Sequence, residues 1–329
     1  MRAMLSRMDP LPSHDAARLL CLGGATIDRS YAPLGKLLRG SSNPVVGRTG
    51  FGGVARNVAE TLARLGVRTA LVAAIGGDAP GTQILEHLTA LGVDLRAIAR
   101  RPDQATAHYI AVLDEHAALA YGLSDMAILE TLTLDEVANA CRINAGAAWI
   151  FADCNLSTPA LSWLLAHARE NPVRLALDAV SIAKAERLPR DLQGVDLLFL
   201  NRDEAEALTG VANGASPRQI AAAVRDLGAA AVAVTLGAAG VALADGADVA
   251  MLPAVPAKAV DPTGAGDALI AGTLWRLLEG DSLASSLRVG TLAATLAIES
   301  ESSVRNDMTP ELLETCMGRL DRRPGSAVL

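Results

Sequence analysis

The chain predicts an α/β protein: a three-layer, doubly wound, mostly parallel sheet carrying a small β lid. Three observations predict it. Short β-rich apolar runs alternate with Ala/Leu-rich helical patterns, and these apolar runs end in Gly, Asp, Asn or Thr. Two segments break that rhythm with extended, hairpin character, and 329 residues at 51% hydrophobic content suffice for one large core.

Taken in order, the opening MRAMLSRMDPLPSHDA (1–16) mixes charge, proline and histidine without an apolar core of signal-peptide length. It reads as an N-terminal extension, expected to be disordered and to carry no export signal. Buried strands are predicted at RLLCLGG (18–24), TALVAAIG (69–76), AAWIFAD (147–153), VRLALDAV (173–180), DLLFLN (196–201) and AAVAVTLG (230–237). Their polar ends lie where open α/β sheets bind ligands. VARNVAETLARLG (54–66) and GDALIAGTLWRLLEG (266–280) have helical spacing and stop at glycine. The stretch from about Asp28 to Val46 and the stretch 106–125, turning around Asp114, Glu115 and His116, together read as a lid over the strand ends. The domain is thus placed at 17–320, its lid at about 28–48 and 106–124, and a loose tail at 321–329.

Composition excludes several classes. A net charge of −7 with no basic run argues against nucleic acid, and no apolar run reaches the roughly 20 residues that span a bilayer. Cys21, Cys141, Cys154 and Cys316 form no CxxC pair, which fits reduced thiols in a cytoplasmic protein better than disulfides or zinc. GxxxxGK[ST], GxGxxG, HExxH and GxSxG are all absent.

The most informative stretch is AVDPTGAGDALIAG (259–272). A glycine turn entering a helix exposes backbone N–H groups at the positive end of the helix dipole, so Gly264, Ala265 and Gly266 could wrap a phosphoryl group. An aspartate beside such a site repels resting phosphate, which suits Asp267 to accept a proton from an attacking hydroxyl. The turn alone leaves open that Asp267 merely caps the helix. In GGVARNVAETLARLG (52–66), Gly53 permits close backbone approach and the Asn57 amide offers a donor and an acceptor to a sugar hydroxyl. In NRDE (201–204), Asn201 and Glu204 share a helix face and suit hydrated Mg2+, or equally form a capping box. TLGAAG (235–240) ends a strand in a turn that could border a nucleotide.

In their order and spacing these four motifs resemble the ribokinase-like (PfkB-type) carbohydrate kinases, from about Leu19 to Met308. The resemblance implies ATP-dependent phosphorylation of a sugar or nucleoside primary alcohol. Asp267 would be the general base, Gly264 to Gly266 the anion hole, Asn201 and Glu204 the Mg2+ region, and Thr235, Gly237 and Gly240 part of the ATP site. Asp261 and Thr263, with the loop ESESSVRN (299–306) nearby, match a monovalent-cation position, so K+ activation is expected. Pro262 departs from the family pattern and offers no backbone donor.

SSNPV (41–45), GGVARN, LSDMAI (123–128), DCNLS (153–157) and DAVSIAKA (178–185) are similar to the pseudouridine kinase branch. That likeness implies Asp28, Gly53 and Asn57 at ribose hydroxyls, and Ser42, Asn43 and Asp125 at the base. Only nine residues are aromatic (Trp 3, Tyr 3, Phe 3), yet Tyr31, Phe51, Tyr109 and Tyr121 fall on or beside the lid. Phe51 or Tyr109 is expected against the uracil ring, whereas His108 is more simply a packing residue. Alternatives are a kinase for ribose, adenosine or fructose, or a non-catalytic sensor on the same fold. Lid edges are expected to pair two subunits into a homodimer.

Overall fold

The computed structural model describes residues 17–116, 118–211 and 214–321. The extension at 1–16 and the tail beyond Asp321 lie outside the described residues. The strands are β1 (Leu19–Leu22), β2 (Thr26–Pro33), β3 (Val45–Gly52), β4 (Thr69–Val72), β5 (Ala74–Gly76), β6 (Ala99–Arg101), β7 (His108–Leu113), β8 (Leu119–Asp125), β9 (Trp149–Asp153), β10 (Arg174–Asp178), β11 (Leu197–Asn201), β12 (Ala231–Thr235), β13 (Val241–Asp245) and β14 (Asp248–Leu252). The helices are α1 (Val54–Arg64), α2 (Ala79–Ala90), α3 (Leu134–Ile143), α4 (Thr158–Glu170), α5 (Ile182–Ala185), α6 (Arg202–Thr209), α7 (Pro217–Arg225), α8 (Ala265–Leu278), α9 (Leu283–Ile298) and α10 (Pro310–Cys316).

An eight-stranded sheet runs β14-β13-β12-β11-β10-β9-β1-β4. It is parallel from β4 to β12 and closes with antiparallel β13 and β14. Period-2 alternation sorts each strand between two cores. Leu20, Leu22, Ile150, Ala152, Leu198 and Leu200 join α3 to α7 on one face. Leu19, Cys21, Trp149, Phe151, Leu197 and Phe199 join α1, α2, α8, α9 and α10 on the other. This is the expected three-layer arrangement, each apolar strand covered on both sides.

The expected strand 69–76 is two strands. Ala99 donates to the Ala73 carbonyl at 3.0 Å, and β5 leaves the main sheet to pair with β6. A second, four-stranded sheet, β3-β2-β7-β8, forms the lid, with β3 and β8 at its edges. Its register sorts the side chains. Asp28 pairs with Gly50 and Tyr109, and Tyr109 with Ser124, so these share one face. Ile27, Phe51, His108 and Asp125 belong to the other face.

Candidate active site

The connection after β1 leads outward to β4 and the connection after β9 leads the other way to β10, so a crevice opens beyond the carboxyl ends of β1 and β9. Asp153, the last residue of β9, is 0% exposed and organises that crevice. Its Oδ2 accepts from the amides of Gly24 and Ala55, both at 2.9 Å, and Oδ1 accepts from the Asn155 amide at 2.9 Å. One carboxylate therefore joins the turn after β1, the first turn of α1 and the loop after β9. Burial nonetheless raises its pKa, against the pull of those amides. Sequence reasoning noted Asp153 as a strand end and as the start of DCNLS, but not these contacts, because its partners are far away in the chain.

Gly53 precedes α1 with φ 92, and a Cβ there would stand 2.4 Å from the Gly24 carbonyl oxygen. Glycine is thus required for the lid strand to enter the helix against the β1 turn. Asn57, one turn into α1, donates from Nδ2 to Asp267 Oδ2 at 2.5 Å. Arg56 is 1% exposed and binds the Asn57 side-chain oxygen from the other side.

Asp267 lies in the first turn of α8, which starts at Gly264 in a left-handed conformation, φ 79, with no side-chain cap. A Cβ on Gly264 would come within 1.8 Å of the Ser303 carbonyl oxygen, so loop 299–306 seals the back of the turn. The helices α1 and α4 also lack a side-chain cap, whereas α2, α3, α5, α6, α7, α9 and α10 carry one. The Ala265 amide donates to the Pro262 carbonyl at 3.3 Å, and no side chain caps the first turn of α8, an end of the helix dipole that suits an anion. The alternative that Asp267 caps its own helix is set aside, because its carboxylate is engaged by Asn57 across the crevice. Burial drives the Asp267 pKa up to about 6, with Asp153 and Asp28 adding to the rise and Asn57 and Arg56 opposing it. Such a carboxylate is ionised at neutral pH yet basic enough to take a proton.

Asp28 sits half-buried on β2 and accepts from the Thr26 hydroxyl at 2.9 Å. Burial raises its pKa, with Thr26 and Arg56 drawing it back. A Cβ on Gly52 would stand 2.1 Å from Asp28 Oδ2, so the bare glycine makes room for this carboxylate. Asp178, at the end of β10, is likewise raised by burial and then by Glu204, Asp267 and Asp153. The crevice is therefore rich in desolvated carboxylates, an environment that favours cations.

Asn201 and Glu204 form the capping box. The Asn201 amide and Nδ2 each donate to Glu204 at 2.8 Å, and the Glu204 amide returns to Asn201 Oδ1 at 2.9 Å. Each Glu204 oxygen keeps a free lone pair, so the donor set still fits hydrated Mg2+ held through water. Among the described residues no group of three or more His, Cys, Asp or Glu could hold a metal. Thr235 ends β12 and Gly237 is open, whereas a Cβ on Gly240 would meet the Leu252 carbonyl oxygen at 2.0 Å. The close approach of β14 therefore requires glycine at position 240. Asp261 accepts from the Thr263 amide at 2.8 Å beside the α8 turn, leaving carboxylate oxygen available to a monovalent cation.

On the lid, Tyr109 shares the Asp28 face and runs along Gly122, where a Cβ would lie 2.6 Å from its hydroxyl oxygen. Phe51 faces the other way. Its ring lies 4.9 Å from His87 and 5.8 Å from the Arg56 guanidinium and packs on the core, so the expectation that it stacks on a base is corrected. Asn43 accepts from the Leu38 amide at 2.7 Å and donates to the Leu38 and Ser41 carbonyls at 3.1 Å. Its amide staples the lid turn that carries exposed Ser42. Asp125 is exposed opposite His108, and Ser124 takes the Tyr109 face instead.

Comparison with known proteins agrees with this fold. The pfkB family carbohydrate kinase profile matches residues 16–310. The pseudouridine kinase of Escherichia coli (strain K12) is 30% identical over 296 residues, covering 88% of this chain and 93% of its own. A carbohydrate kinase from Agrobacterium tumefaciens superposes with a TM-score of 0.80 at 31% identity, covering 91% of this chain and 96% of that one. An Arabidopsis thaliana ribokinase complexed with ribose and ATP shares the fold at a TM-score of 0.77 and 24% identity, covering 94% and 100%. The chain belongs to the pfkB family of carbohydrate kinases and has the ribokinase-like fold of an ATP-dependent sugar or nucleoside kinase.

Proposed function

We propose that this kinase transfers the γ-phosphoryl group of ATP to the 5′-hydroxyl of pseudouridine, giving pseudouridine 5′-phosphate and ADP. The observation that carries the reading is Asp267, a carboxylate with pKa raised to about 6 beside the uncapped N-terminus of α8. The 30% identity to a pseudouridine kinase over 88% of the chain supports the choice of acceptor.

Asp28 and Asn57 would hold ribose hydroxyls, with Tyr109 flanking the base. Asp267 takes the 5′-hydroxyl proton as the oxygen forms its bond to phosphorus and the bond to the ADP oxygen breaks. The Ala265 and Gly266 amides stabilise charge on the transferred group. Mg2+, when bound near Asn201 and Glu204, would neutralise phosphate charge. Thr235 and Gly237 would border the nucleotide. The lid excludes water, the competing nucleophile. Potassium at Asp261 and Thr263 would be read as a rate increase on replacing Li+ by K+.

A homodimer through the lid is supported by its exposed apolar side chains, Tyr121 at 58% with Leu119 and Leu123 on edge strand β8. Sedimentation of wild type against Tyr121→Glu reads it. The reading of function is tested by 31P NMR of the protein with ATP, Mg2+ and pseudouridine. A 5′-monoester and ADP in equal amounts support it, and ATP consumed without a nucleotide product refutes it. Riboses and other ribosides would satisfy Asp28 equally, so a ribose kinase is the second reading.

A further inference from the structure

We propose that Arg56 is a positioning residue that locks the Asn57 carboxamide in the one orientation that donates to Asp267, keeping that carboxylate available as the base. This rests on the role given to Asp267 above. The Arg56 side chain is buried, 1% exposed, behind Asn57. Its Nε donates to the Gly52 carbonyl at 3.1 Å and its Nη2 to the Phe51 carbonyl at 2.7 Å, pinning the end of lid strand β3. Nη2 also donates to Asn57 Oδ1, and Nη1 pairs with Glu60.

Guanidinium is donor-only, so a flipped Asn57 amide would set N–H against N–H. Arg56 therefore decides that Oδ1 points down and that Nδ2 points at Asp267, 2.5 Å away. A lysine could supply the charge but not the fork that reaches two lid carbonyls and the amide together.

Electrostatics point the same way. Facing Asp267 are Arg56 and Asn57 from α1, Asp28 from β2, Asp153 from β9 and Asp178 from β10. Arg56 is the cation in that set. Glu60 offsets it only in part, because its carboxylate is shared with Arg64 at 2.8 Å and with His87 of α2 at 3.0 Å.

The test follows the titration of Asp267 by 13C NMR of its carboxyl carbon, and the acid limb of kcat/KM, in wild type, Arg56→Gln, Arg56→Lys and Glu60→Gln. Arg56→Gln should move both midpoints up by about one unit, the lower end of what a nearby opposite charge does. Glu60→Gln should move them down. Arg56→Lys should restore most of the midpoint while leaving kcat reduced by on the order of tenfold, since charge returns without the fork.

Partial unfolding lowers the amplitude of such a limb without moving its midpoint, so a purely structural residue would leave the midpoints in place. Coincident midpoints in all four proteins, or shifts of the same sign in Arg56→Gln and Glu60→Gln, overturn the proposal. If Arg56→Gln does not fold, the Lys and Glu60 variants decide it alone. The NMR readout needs no acceptor alcohol. A wild type silent toward every alcohol would refute the functional reading while leaving the Arg56 titration test intact.

Discussion

Replacing Asp267 by Asn should sharply lower turnover while stabilising the protein. The substitution keeps shape and removes only the base, so kcat should fall by on the order of 10²–10⁴, equivalent to about 3–5 kcal/mol of transition-state stabilisation. Stability moves the other way. Burial lifts the Asp267 pKa from 3.8 in the unfolded chain to about 6 in the fold. The folded state then binds the proton more tightly, and stability declines as pH rises through the window from 3.8 to 6. At about 1.36 kcal/mol per unit, the charged form costs the fold about 3 kcal/mol above that window. Neutral Asn avoids that cost and forfeits about 1 kcal/mol from weakening the bond with Asn57, for a net gain of about 2 kcal/mol at pH 7.5. Thermal melts of both proteins at pH 7.5 and pH 4, with ADP-release rates, measure both effects. The advantage should shrink as the pH falls to 4. An active Asp267→Asn enzyme would refute the base assignment, and an inactive variant less stable than wild type at pH 7.5 would refute the desolvation argument.

Other expectations follow from the same geometry. Wild-type kcat/KM should lose about tenfold per pH unit below about 6 as Asp267 protonates; a flat profile down to pH 5 would contradict the raised pKa. Gly264→Ala drives a Cβ toward the Ser303 carbonyl oxygen, 1.8 Å away, at a φ of 79. It should lower kcat by on the order of 10²-fold through displacement of the α8 turn, read by single-turnover kinetics. Tyr109→Leu should raise the nucleoside KM about threefold to tenfold, the worth of a stacked ring, with the ATP KM unchanged. Phe51→Leu should instead lower the melting temperature, because its ring packs on His87 and the core.

Much of this was legible in the sequence because the signals are local. The Gly-Ala-Gly turn and its aspartate occupy four consecutive residues, and so do Asn201 and Glu204, whose capping-box alternative is the contact observed. The buried strands were legible because period 2 and polar ends mark them. Contacts between distant elements were not. Asn57 meets Asp267 across 210 residues, and Asp153 binds Gly24 and Ala55 across 129 and 98. Phe51 and Tyr109 stood as equal candidates for the base because proximity to the lid does not say which face a strand residue takes. Only the pairing of Asp28 with Gly50 sends its neighbour, Phe51, to the core side. The turn that engages both Asn43 Nδ2 donors was not legible, because it depends on backbone groups the sequence does not order in space. Val180, with φ 67 two residues after Asp178, is a strained β-branched residue that no propensity would suggest.

The most direct measurement is the kcat/KM for ADP release with ATP, Mg2+ and K+ and, separately, pseudouridine, uridine, adenosine, ribose and fructose, each run beside Asp267→Asn. The account predicts turnover that is highest for pseudouridine by at least about tenfold, the discrimination one well-made polar contact can give, and that falls sharply in the variant. Equal rates for all ribosides, or a preferred acceptor that the variant phosphorylates as fast as wild type, would contradict it.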